Sequence, residues 1–115
     1  MDKLCKIRDI QRAVNRFEDD FERLYNICLN EGMALCSLHK AGTLSSGELS
    51  EFLGLSSSNT SKVIKSIENK GLVERVMGAK DKRQMYFSLT EKGKALILSV
   101  SCDSIEIPRE LKEIL

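Results

Sequence analysis

A helix marked at both ends, followed at once by a strand–turn–strand pattern, constrains this chain more than any other stretch. From Leu55 the sequence runs Leu-Ser-Ser-Ser-Asn-Thr-Ser-Lys-Val-Ile-Lys-Ser-Ile-Glu-Asn-Lys-Gly. The serines at 56–58 supply N-caps, because a short side-chain oxygen accepts from the first free backbone N–H groups. Gly71 stands where the helix must stop, since glycine takes the left-handed C′ position without cost. Thr60, Val63, Ile64 and Ile67 recur at helical spacing and predict one apolar face. At about 100° per residue, the opposite face carries Ser58, Lys62, Lys65 and Asn69, flanked by Ser61 and Ser66. That face has no carboxylate; Glu68, the helix's acid, lies to the side. Such a surface can enter a DNA major groove without repelling phosphates.

Leu72 to Met77 and Gln84 to Leu89 alternate as two short strands, joined by Gly78-Ala79-Lys80-Asp81-Lys82-Arg83. A capped helix followed by a hairpin with a basic tip is the layout of a winged helix-turn-helix. The competing reading is a plain α+β domain whose surface is basic here.

Charge separates the two. The net charge of the 115 residues is only +1. Yet Ser56 to Lys94 holds nine Lys or Arg and four acids, a local +5 that leaves −4 for the remainder. One region therefore suits a polyanion and the other something else. With 115 residues a single modest core is expected. No apolar run reaches the roughly 18 residues needed to span a membrane, and the charged start from Asp2 reads as no secretory signal. A cytoplasmic protein is expected. Cys5, Cys28, Cys36 and Cys102 fit no zinc spacing, and His39 is the single histidine. No metal and no cofactor are predicted, and the cysteines are expected as reduced, mostly buried thiols.

The N-terminal segment, Asp2 to about Asn26, is the longest periodic run. Ile7, Ile10, Val14, Phe17, Phe21, Leu24 and Cys28 follow at alternating steps of three and four. That is a heptad seam, predicting a long helix that pairs with a second copy; burial within one subunit is the alternative. A second helix is expected over Leu29 to Lys40, with Met33, Leu35, Cys36 and Leu38 in the core. In a third, from Thr43 to Gly54, Ser45 and Glu48 make a capping box, and Leu49, Phe52 and Leu53 face inward. Gly54-Leu55-Ser56 then makes the turn of a helix-turn-helix. Thr90 caps a fifth helix through Ala95, Leu96, Ile97, Leu98 and Val100. After a break at 101–106, Pro108 starts a short last helix, Arg109 to Leu115, with Leu111, Ile114 and Leu115 on one side.

Gly47-Glu48-Leu49-Ser50-Glu51-Phe52-Leu53-Gly54-Leu55-Ser56, Val63-Ile64, Glu68-Asn69-Lys70-Gly71-Leu72-Val73-Glu74-Arg75, Asp81-Lys82-Arg83 and Ser88-Leu89-Thr90-Glu91-Lys92-Gly93 together resemble the MarR family of bacterial transcriptional regulators. The resemblance covers about residues 30 to 98. It implies a winged-helix homodimer on a pseudo-palindromic operator, most often a repressor, with recognition helices in successive major grooves and wing tips in the minor groove. Ser57, Ser58, Asn59, Ser61, Lys62 and Lys65 match the reading face. Arg83 matches the wing arginine, with Asp81 orienting it; Lys62, Lys65, Lys80, Lys82 and Arg75 are expected to contact phosphate. Ile7, Ile10, Val14, Phe17, Leu111 and Ile114 fall where such chains interleave.

The expected fold is thus mainly α with a two-stranded β-wing, dimeric through its N- and C-terminal helices. The expected division is 1–29 for dimerisation, 30–100 for the winged helix and 101–115 for dimerisation. Two departures stand out. The chain is shorter than most members at its C-terminal helices, implying a smaller or differently arranged dimer, and Gln84 replaces the acid many relatives carry after the wing arginine. The resemblance also implies a small lipophilic or phenolic effector, and in some members peroxide sensing through an N-terminal-helix cysteine, the region of Cys5. The competing functions are a protein-interaction module that has lost DNA binding and a thiol-based redox regulator. No Ser/His/Asp set, paired-carboxylate cleft or phosphate-cradling glycine loop supports an enzyme.

Overall fold

The computed structural model describes residues 2–77, 85–100 and 107–115. In chain order these form α1 (Asp2–Tyr25), α2 (Leu29–Ala41), β1 (Thr43–Ser45), α3 (Ser46–Leu53), α4 (Ser57–Asn69), β2 (Val73–Met77), β3 (Met85–Leu89), α5 (Glu91–Ser99) and α6 (Arg109–Lys112). They fall into two compact units, Met1–Leu29 with Val100–Leu115, and Asn30–Ser99. No helix of the described residues is long and apolar enough to cross a membrane.

In the first unit α1 runs 24 residues without a break, because no glycine or proline interrupts it. It ends at Asn26, whose φ of 60° is left-handed; asparagine tolerates that region better than other non-glycine residues. Phe21 is buried and rests against Tyr25 with ring centroids 5.0 Å apart. Ala13 is buried as well. Ile10, Val14 and Phe17 are half-buried, while Leu4, Ile7 and Leu24 are exposed. α6 packs on α1, and Arg16 reaches Glu110 at 3.4 Å. An exposed pair of this kind contributes at most about 1 kcal/mol. Leu111 is half-buried; Ile114 and Leu115 are open to solvent.

The second unit holds α2, α3, α4 and α5 with a small sheet of order β1-β3-β2, antiparallel throughout. Leu44 pairs with Phe87, and Arg75 lies opposite Phe87 on the other side of β3. Leu44, Phe87, Leu35, Leu38, Leu49, Ile64, Ile67 and Leu72 form the buried core. The expected two-stranded hairpin, β2 with β3, is present, and β1 adds a third strand along β3. Thr43–Ser45, expected as the lead-in to α3, is extended, because pairing with β3 satisfies backbone groups that a loop would leave to water.

Two expected core residues prove exposed: Met33 at 47% and Phe52 at 65%. Helical spacing identified their neighbours correctly but not which flank is covered. Ala34, fully buried on α2, lies where Met33 was expected. The cysteines also differ from expectation. Cys5 is exposed, and Cys28 and Cys36 are half-buried free thiols; Cys102 lies outside the described residues.

Gly93 in the first turn of α5 is required by packing. A Cβ there would fall on the Leu72 carbonyl. Around it, Thr90 Oγ1 donates to Gly71 O at 2.7 Å and accepts from Gly93 N at 3.1 Å, while Lys92 Nζ donates to Lys70 O at 2.9 Å. The start of α5 is thereby bolted to the end of α4.

Candidate nucleic-acid interface

α3 and α4 are set by local chemistry. Ser45 Oγ accepts from Glu48 N at 3.2 Å, and Ser45 N donates to the Glu48 carboxylate at 3.0 Å, completing the expected capping box. Gly54, at φ 66°, ends α3 in the left-handed conformation and donates to Ser50 O. Three residues later α4 begins, capped by Ser56 Oγ accepting from Asn59 N at 3.1 Å. Each such cap is worth about 1 kcal/mol. At the far end Leu72 N bonds Ile67 O and Gly71 N bonds Glu68 O, with Gly71 at φ 74°. That bond pair is a Schellman motif, so α4 has fixed ends and a fixed length.

Its inner face carries Thr60, Ile64 and Ile67, all buried. Its outer face carries Ser58, Ser61, Lys62, Lys65 and Asn69, all exposed, and Ser57 and Asn59 are exposed in its first turn. There is no acid in the first turn. The partial positive charge of the helix N-terminus, with its free N–H groups, is thus left to attract an anion such as a phosphate. Six of the ten residues assigned to DNA binding from the sequence are thus exposed on α4. The other four, Lys80, Asp81, Lys82 and Arg83, lie outside the described residues, as does Gln84.

Two side chains behave differently from expectation. Ser66, placed beside the outer face, is half-buried and donates to Glu31 Oε2 at 2.9 Å. Arg75, expected to contact phosphate, is engaged with Glu68: Nε donates at 2.7 Å and Nη2 at 3.2 Å. The same guanidinium lies 5.9 Å from the Phe87 ring centroid. The two hydrogen bonds from Arg75, reinforced by its charge, hold the Glu68 carboxyl below the usual carboxylate range. The pair ties β2 to α4 and so fixes the root of the wing against the helix.

Between them is a hollow of about 430 Å³. Ile64, Met85 and Phe87 line it, and Lys65, Glu68 and Arg75 stand at its polar margin.

One buried group escaped the sequence reading altogether. Glu31, in the first turn of α2, is 4% exposed and holds Lys70 Nζ at 3.0 Å from both carboxylate oxygens as well as Ser66. An acid in a first turn ordinarily serves the helix dipole from solvent, and nothing local distinguished this one. No cluster of His, Cys, Asp or Glu among the described residues could hold a metal ion.

The sequence profile of the MarR family matches residues 27–85, from just after α1 to the first residue of β3. The chain belongs to the MarR family. A MarR-type fold is equally plain in solved structures. The S. aureus MepR–DNA complex superposes with a TM-score of 0.78 at 22% identity, covering 95% of this chain and 81% of that one. BldR of Sulfolobus solfataricus gives 0.75 at 23%, covering 98% and 78%. A mutant MarR of E. coli complexed with operator DNA gives 0.74 at 22%, covering 93% and 77%. Among curated proteins, the uncharacterised HTH-type transcriptional regulator YwaE of Bacillus subtilis is 29% identical over 90 residues, 78% of this chain and 53% of YwaE. The chain therefore spans about half the length of the curated relative it matches.

Proposed function

We propose that this MarR-family chain is a cytoplasmic, non-catalytic transcriptional regulator that binds double-stranded DNA sequence-specifically as a homodimer, most simply as a repressor on a pseudo-palindromic operator. The observation that carries the proposal is the outer face of α4: Ser57, Ser58, Asn59, Ser61, Lys62 and Lys65 are all exposed on a helix capped at both ends. Lys62 and Lys65 supply sequence-independent phosphate attraction, and the hydroxyl and amide groups supply base-edge hydrogen bonds. The family resemblance supports a minor-groove role for Lys80, Lys82 and Arg83, with Asp81 orienting the arginine.

Pairing follows from α1. Ile7 is exposed while Ile10, Val14 and Phe17 are only half-buried, so one chain leaves the seam open; a second copy, with Leu111 and Ile114 contributing, closes it. A two-fold pair presents two α4 helices, which predicts half-sites one helical turn, about 10 base pairs, apart. A small lipophilic or phenolic effector belongs to the same proposal. The hollow beside α4, about 430 Å³ with Phe87 and Met85 in its lining, falls in the size range of small-molecule sites.

Selection of bound duplexes from a random pool tests the reading. Enrichment of an inverted repeat with about one turn between half-site centres supports it. Recovery of an unenriched pool at low salt contradicts it.

A further inference from the structure

We infer that Glu31 is a positioning residue for the outer face of α4 and hence for the duplex sequence that face selects; the inference rests on the DNA-binding reading above. The hydrophobic contacts of Thr60, Ile64 and Ile67 hold α4 to the core but are non-directional, so they resist separation better than rolling. A roll of about 20° moves groups at a helix surface 5–6 Å from its axis by about 2 Å. That displacement exceeds the latitude of a hydrogen bond to a base edge.

Direction must come from polar groups: Arg75 tethers Glu68 of α4 to β2, and Glu31 supplies a second, buried tether to α2. Its carboxylate takes Ser66 Oγ at 2.9 Å and Lys70 Nζ at 3.0 Å. Those two residues are four apart, one above the other along α4. A single buried acid holding two points a turn apart fixes both the roll of the helix and its slide along its axis. Charge-assisted bonds of this type are among the stronger and more directional ones in a protein. The same geometry commits Lys70 to the protein rather than to phosphate, in contrast to Lys65, which is exposed on the outer face.

The test compares affinity for the selected duplex with affinity for a scrambled one across a salt series. It uses the full chain and variants confirmed as folded by circular dichroism. Glu31→Ala is expected to lower the selected-to-scrambled ratio about tenfold or more while leaving the slope of log affinity against log salt unchanged. Glu31→Gln, which keeps one acceptor oxygen but loses the charge and sets an amide NH2 against Lys70, should fall between the parent and Glu31→Ala. Lys65→Ala should do the reverse, flattening the slope by about 0.9. A purely structural role for Glu31 would change melting temperature and leave the ratio alone, so a folded Glu31→Ala variant with the parental ratio overturns the inference. Should that variant not fold, Ser66→Ala removes one anchor only; it is expected to lower the ratio by a smaller factor, and a parental ratio there overturns the inference equally. If the parent chain prefers no duplex, the DNA-binding reading fails first and this inference falls with it. That outcome is distinct from a specific parent with an insensitive variant.

Discussion

α1 and α4 are both amphipathic helices with an open side, and the open sides are opposite in kind. On α4 the apolar face is closed: Thr60, Ile64 and Ile67 are buried, and serine, asparagine and lysine are left to solvent. On α1 closure is incomplete. Phe21 is buried, but Ile7 is 53% exposed and Leu24 is 51% exposed. Water is an acceptable partner for α4 and a poor one for α1. Under the proposed function, the difference matches each helix to a partner class. An apolar seam in heptad spacing is satisfied by another copy of itself, and a cationic, hydroxyl-rich face by a polyanion.

The sharpest way to break this contrast is to place a charge on the α1 seam. Ile7→Glu should weaken the dimer about a hundredfold or more by sedimentation equilibrium. A two-fold interface loses the side chain twice, at about 1.5–3 kcal/mol each. The monomer's helical signal should persist, because Ile7 is exposed in the single chain. An unchanged dimer would remove α1 from the interface.

The next effect lies on the DNA side. Arg83→Ala is expected to weaken operator binding by about tenfold or more, the scale of one charge-assisted bond, with melting temperature unaffected; an unchanged gel-shift titration would count against the wing assignment.

Acid titration gives a smaller effect. The Glu68 carboxyl is held below its usual value by Arg75, so the pair's stabilisation is present above the unfolded pKa, about 4.3. It is lost as pH falls through the lower folded value. Glu68→Gln should therefore lower stability slightly near neutrality and flatten its decline below about pH 4, where parent and variant converge. An identical acid limb in the variant would show that the ion pair does not contribute.

Smallest for binding is a change on the inner face of α4. Thr60 Oγ1 is buried and has no hydrogen-bond partner among the described residues. Thr60→Val should raise unfolding free energy by about 1 kcal/mol and leave DNA affinity as it was. A loss of stability would reveal a role for the hydroxyl.

What could be read from the chain beforehand divides along the range of the forces involved. The Ser45–Glu48 box, the Ser56 cap and the turns at Gly54 and Gly71 were legible because each is specified within about five residues. The outer face of α4 was legible for the same reason, through helical period. β1 was not. Three residues, Thr43–Ser45, carry too little pattern, and their partner Tyr86–Ser88 lies more than forty positions away. The Glu31 network spans 35 and 39 residues and is invisible to any local rule. Met33 and Phe52 show a third kind of failure. Apolar identity says that a side chain can be buried, whereas the geometry of neighbouring elements decides whether it is. In the candidate site, this is why Ser66 and Arg75 shifted from DNA-facing to protein-facing roles: each is committed by a carboxylate from a separate element or the preceding helix.

The most direct measurement places a photoreactive benzophenone side chain at position 61 in α4 and, as a control, at position 52 in α3. Both positions are exposed in the free protein. Irradiation with the selected duplex should yield crosslinks from position 61 at two places about one helical turn apart, and far fewer from position 52. Crosslinks that are absent from position 61, or equal from both positions, would contradict the assignment of α4 as the DNA-reading helix.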